Sequence, residues 1–162
     1  MWHAIATYEN KQGSTGQKTG LVVGDAMYDL HALIQASADP AGEFGVEPSL
    51  AGAIQDWERN AVGFKKLAEA VPALLVKGRI DPLDPASYRL CVPYVPGRIF
   101  GAASNYYEHA REMGTELAPR EESAPYCFMK AETSVTATDT KVVMPRDTEK
   151  LDWEVELGVV IG

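Results

Sequence analysis

The chain has 162 residues, 46% of them hydrophobic and 23% charged, which is the balance of an ordinary globular protein able to bury a core and not of a disordered or fibrous one. With 15 basic against 23 acidic residues its formal charge is −8, the wrong sign for a polyphosphate partner, so a nucleic-acid role is excluded. Apolar runs such as Val71 to Val76 are far too short to span a bilayer, and the start from Met1 to Tyr8 lacks the basic and apolar regions of a signal peptide. A cytoplasmic protein is expected, with Cys91 and Cys127 as reduced packing residues, because they have neither CxxC spacing nor an extracellular signal.

In chain order, residues 2 to 8 and 18 to 23 read as short strands joined by a turn rich in Gly, Ser and Asn, and Gly24-Asp25 turns into a third piece at 27 to 30. Leu30, Leu33 and Ile34 then recur at helical spacing, as do Leu50, Ile54 and Trp57 behind a candidate N-cap at Ser49. Phe64, Leu67, Ala68 and Val71 form another helical face, which Pro72 is expected to end or kink. Pro82, Pro85, Pro93 and Pro96 mark residues 81 to 97 as a linker, dividing a small α/β domain (residues 1 to 80) from a second domain beginning at 98. That second part is read as β-rich, giving an α+β chain, with strands at 99 to 102, 126 to 129, 141 to 144 and 153 to 161 and a helix at 106 to 113. The last strand runs to the end without turn chemistry, so the second domain is expected to be truncated in a strand.

Two constellations carry chemistry. On a strand, Glu154 and Glu156 share one face while Trp153, Val155 and Leu157 share the other. Adjacent carboxylates on a half-buried strand repel, and a hard divalent cation is one remedy; a solvated edge strand is the alternative. Asp152 has the same parity but sits at the strand entrance, as a turn or cap residue. In the second constellation, a helix over 106 to 113 would place His109 and Glu112 at i and i+3, close enough for the carboxylate to orient the imidazole as a general base. A solvated helix pair is the alternative there.

Three stretches occur in order at compatible spacing: Asn105-Tyr-Tyr-Glu-His109-Ala-Arg-Glu112, Pro125-Tyr-Cys-Phe-Met-Lys130, and Asp152-Trp-Glu154-Val-Glu156-Leu-Gly-Val-Val-Ile-Gly162. Together they resemble the fumarylacetoacetate hydrolase family, over about residues 95 to 162; the first eighty residues match only loosely, as that family's variable N-terminal domain. The resemblance implies a mixed β-sheet catalytic domain in which Glu154 and Glu156 ligate Mg²⁺ or Mn²⁺, with Ca²⁺ as a substitute, and His109, assisted by Glu112, activates water. Asn105, Tyr106 and Lys130 match positions near the family's substrate site. Gly101 and Ala103 depart from the Cys and Gly that many relatives carry before the Asn-Tyr pair.

The implied substrate is a small 2-oxo or 1,3-diketo acid and the implied reaction hydrolysis of a carbon–carbon bond, with decarboxylation and keto–enol tautomerisation open on the same scaffold. The family's third carboxylate, an aspartate, and its catalytic lysine belong to sequence after the Val-Ile-Gly strand, so the metal site is expected to be half built. A homodimer, pairing with a C-terminal fragment, or a catalytically incomplete interaction chain are the expectations that follow.

Overall fold

The computed structural model describes residues 2–13, 16–37, 45–103 and 105–161. The expected turn after the first strand lies partly outside them. The chain is a mixed α+β protein that divides into two compact units, one of residues up to Tyr94 together with those from Ala137 onward, the other Val95–Thr136.

The first unit is built on an antiparallel sheet of four strands, β1 (His3–Asn10), β2 (Lys18–Val23), β3 (Ala26–Asp29) and β4 (Tyr88–Leu90), in the order β3-β2-β1-β4. The β2–β3 turn is as tight as the sequence suggests, because Gly24 adopts φ +60°, open to glycine without a Cβ penalty. Cross-strand partners put Ile5, Leu21, Val23 and Tyr28 into one apolar set. Against this set pack α1 (Leu30–Ala36), α2 (Leu50–Gln55) and the long α3 (Trp57–Val76). The stripe Phe64, Leu67, Ala68, Val71 and Leu74 on α3 is buried, as its three- and four-residue spacing requires.

Two polar groups fix how these layers meet. Asp29, the last residue of β3, caps α1 by accepting from the Ala32 amide at 2.9 Å, and its other carboxylate oxygen accepts from the Tyr8 hydroxyl at 2.6 Å and from Lys18 at 3.4 Å. Buried Asn60 of α3 accepts from the Glu47 amide at 2.7 Å and donates to the Asp56 carbonyl at 2.8 Å and the Ala53 carbonyl at 3.4 Å, joining the approach to α2, α2 itself and the start of α3. Ser49 caps α2 through the Gly52 amide at 3.1 Å.

The structure corrects three expectations. Pro72 neither ends nor visibly interrupts α3, which runs four residues further. The proline sits on the exposed side while Val71 and Leu74 are buried around it, so packing outweighs the local cost of about 3 kcal/mol. The proline-dense span 81 to 97 is not a bare connection: a 3-10 turn at Pro85–Ser87, capped by Asp84, leads into β4, which pairs with β1 through Tyr8, Glu9 and Asn10. An ion pair between Glu9 and Arg89, a bond from the Thr7 hydroxyl to the Pro93 carbonyl at 2.9 Å and one from the Leu83 amide to the Met27 carbonyl at 2.7 Å tie the span down further. Finally, residues 141 to 144 and 153 to 161 contain no strand. Alternation alone does not make one: strand amides and carbonyls need a neighbouring strand, and no described strand pairs with this segment. Its apolar side chains lie open, Trp153 at 79% and Leu157 at 85%. Among the described residues no helix is long and apolar enough to cross a membrane.

Burial opposes ionisation of Asp29, but the bonds from Tyr8 and Ala32 and the charge of Lys18 outweigh it and hold the carboxyl below the usual carboxylate range. Burial first, then the bond to Asp29 and its charge, pushes the Tyr8 phenol far above its ordinary value of 10.0. A carboxyl depressed in the fold adds stability above its unfolded value, about pH 4, and that stability is lost as pH falls through the folded value. A phenol raised in the fold adds nothing to lose until about pH 10, above which stability declines as the unfolded chain ionises first. Urea unfolding across pH should show a plateau with both flanks. Tyr8→Phe should flatten the alkaline flank and cost about 1–2 kcal/mol, and Asp29→Ala about 2–4 kcal/mol, since it removes a helix cap and strands the Tyr8 hydroxyl.

Candidate active site

The second unit contains an antiparallel hairpin, β5 (Ile99–Ala103) with β6 (Tyr126–Lys130), and one short helix, α4 (Tyr107–Glu112). Asn105 and Tyr106 lie between β5 and α4, both exposed, and Tyr106 occupies the N-cap position without a side-chain cap bond. The helix is anchored by Ala110, buried to 1% exposure; His109 is half-buried, and Tyr107, Glu108, Arg111 and Glu112 are exposed.

His109 and Glu112 come together on α4, with Nδ1 of the imidazole 3.6 Å from Oε2 of the carboxylate, and remain 44% and 78% exposed. The helix closes just beyond them. Gly114 takes φ +71°, its amide donates to the Arg111 carbonyl at 3.0 Å, and the Thr115 amide reaches back to the Ala110 carbonyl at 2.8 Å, the pattern of a left-handed helix stop. The Thr115 hydroxyl donates to the same carbonyl at 3.1 Å. The role of Gly114 and Thr115 escapes a motif search, although a glycine directly after a helical run is a readable stop signal.

Lys130 ends β6, with its ammonium 5.8 Å from the centroid of the Phe128 ring. That ring lies over Gly101, its partner across the hairpin; a Cβ at Gly101 would stand 2.5 Å from the ring's Cζ. The departure at Gly101 therefore makes room for an aromatic side chain.

Glu154 and Glu156 lie on the exposed segment without regular structure, so a shared strand face does not bring them together. Asp152 accepts from the Trp153 amide at 2.8 Å, and neither a turn nor a strand begins at it. As hard oxygen donors the two glutamates suit Mg²⁺ or Mn²⁺. Among the described residues, however, no three His, Cys, Asp or Glu side chains gather as a metal site.

Comparison with known proteins addresses this same part of the chain. Residues 98–162 match the family described as fumarylacetoacetate (FAA) hydrolase, C-terminal. Over this stretch the chain is similar to the fumarylacetoacetate hydrolase family. An uncharacterized protein of Pyrococcus abyssi is 45% identical over 67 residues, 41% of this chain and 28% of the relative. One from Pyrococcus horikoshii is 42% identical over 67 residues, 41% and 27% of the two chains. A Burkholderia cenocepacia protein named provisionally as a hydrolase is 38% identical over 93 residues, 52% of this chain and 31% of its own. The chain thus spans less than a third of the length of these curated relatives.

An exposed contact between a histidine and a carboxylate contributes little to folding, so the His109–Glu112 pair should be nearly silent in stability. Thermal and urea unfolding of Glu112→Gln and His109→Ala should stay within about 0.5 kcal/mol of the parent. A loss of several kcal/mol would show a structural pair.

Proposed function

We propose that the chain provides part of a hydrolase of the fumarylacetoacetate hydrolase family that cleaves a carbon–carbon bond in a small 2-oxo or 1,3-diketo acid. The supporting observation is the approach of Glu112 to His109 at 3.6 Å on the solvent side of α4, inside the stretch that matches the family. A carboxylate facing Nδ1 favours the tautomer protonated there and places the basic lone pair on Nε2. A histidine so held takes a proton from water near neutral pH. The hydroxide adds to a carbonyl carbon, the adjacent carbon–carbon bond breaks, and the imidazolium returns its proton to the departing enolate carbon.

Asn105, Tyr106 and Lys130 are the groups assigned to the substrate, the ammonium of Lys130 being suited to its carboxylate. Glu154 and Glu156 are the residues that would hold Mg²⁺ or Mn²⁺. When bound, such a cation polarises the substrate carbonyl and stabilises negative charge on oxygen. Decarboxylation and tautomerisation of the same acids draw on the same groups.

Turnover of 2,4-dioxopentanoate with manganese tests the reading. His109→Ala should lower kcat by roughly two to four orders of magnitude, and Glu112→Gln should lower it less. Glu154→Ala and Glu156→Ala should each abolish the manganese-dependent turnover. Full turnover in His109→Ala would leave α4 a surface helix and favour a non-catalytic interaction role, and unchanged manganese dependence in both glutamate variants would sink the metal assignment.

A further inference from the structure

Helix α4 has six residues, too few to hold itself together in water, yet its last turn carries both His109 and Glu112. Closure of that turn converges on one acceptor. The carbonyl of Ala110, the residue directly after His109, receives both the amide of Thr115 at 2.8 Å and its hydroxyl at 3.1 Å, across the left-handed Gly114. The same turn also has backbone bonds from Met113 to the His109 carbonyl at 3.1 Å and from Gly114 to that of Arg111 at 3.0 Å.

We infer that Thr115 is a positioning residue for the His109–Glu112 pair, its hydroxyl supplying the second donor that keeps the last turn of α4 wound. This deepens the proposed function and rests on it for its catalytic consequence. Without the hydroxyl the amide bond remains, but the turn frays more often, and in the frayed state the i, i+3 geometry that brings Glu112 to His109 is lost. The effect falls on the fraction of molecules with a poised imidazole, so it appears in kcat and not in substrate affinity.

The test compares Thr115→Val, which keeps the branched shape and removes the donor, with Thr115→Ser, which keeps the donor. The activity-independent readout is the change that Glu112→Gln produces in the NMR resonances of the His109 ring, recorded without substrate in each background. Thr115→Val should shrink that change and Thr115→Ser should preserve it. With 2,4-dioxopentanoate and manganese, Thr115→Val should lower kcat about threefold to tenfold, the range of a lost helix cap, with KM nearly unchanged, and Thr115→Ser should restore it. An undiminished response of His109 to Glu112→Gln in Thr115→Val, or a loss that Thr115→Ser fails to restore, overturns the inference. Turnover that is absent, or that survives His109→Ala, counts against the reading of His109, while the ring response still decides the role of Thr115.

Discussion

The first unit depends on one carboxylate. Asp29 ends β3, starts α1, and receives a hydroxyl from β1 and an ammonium from β2, so four consecutive elements meet at two oxygen atoms. The chain direction changes from strand to helix at this residue, where the first amides of α1 would otherwise lack acceptors. Because Tyr8 is fully buried, its hydroxyl also needs an acceptor, and Asp29 meets both needs. The Tyr8 ring in turn packs edge-on against Tyr88, with centroids 5.6 Å apart, which carries the same constraint to the edge strand β4.

Asn60 plays the corresponding part among the helices. Its amide serves partners on both sides of the break between α2 and α3 and on the loop leading into α2, and no buried side-chain polar atom among the described residues lacks a partner. The apolar contacts of Phe64, Leu67 and Val71 supply most of the burial, but they are non-directional. It is the directed bonds of Asp29 and Asn60 that specify which strand end meets which helix start.

Much of this first unit was legible in the sequence, for local reasons. The three opening strands announce themselves by apolar residues bounded by Gly, Asn and Ser, Ser49 marks a helix start, and the stripe from Phe64 to Val71 has an unambiguous period. What failed depended on distant partners. Tyr88 to Leu90 form a strand only because β1 lies beside them, and proline density hid that pairing. Trp153 to Ile161 alternate as a strand should, yet no described strand pairs with them. In the candidate site, the proximity of His109 to Glu112 follows from helical spacing alone and could be read directly. Bringing Glu154 and Glu156 onto one face required a strand, so their arrangement was not legible in the same way. Asn60 gave no signal at all, since its value lies in three backbone groups that only the fold assembles.

The absence of a side chain at Gly101 links three positions on the hairpin that look independent in sequence. The Phe128 ring occupies the space that a Cβ at 101 would take, and the Lys130 ammonium stands beside that ring. A side chain at 101 would require the ring to shift, and with it the aromatic surface near which the cation sits. Residues 101, 128 and 130 are therefore coupled: a side chain at 101 calls for another rotamer or residue at 128, and that change alters the surface beside the charge at 130.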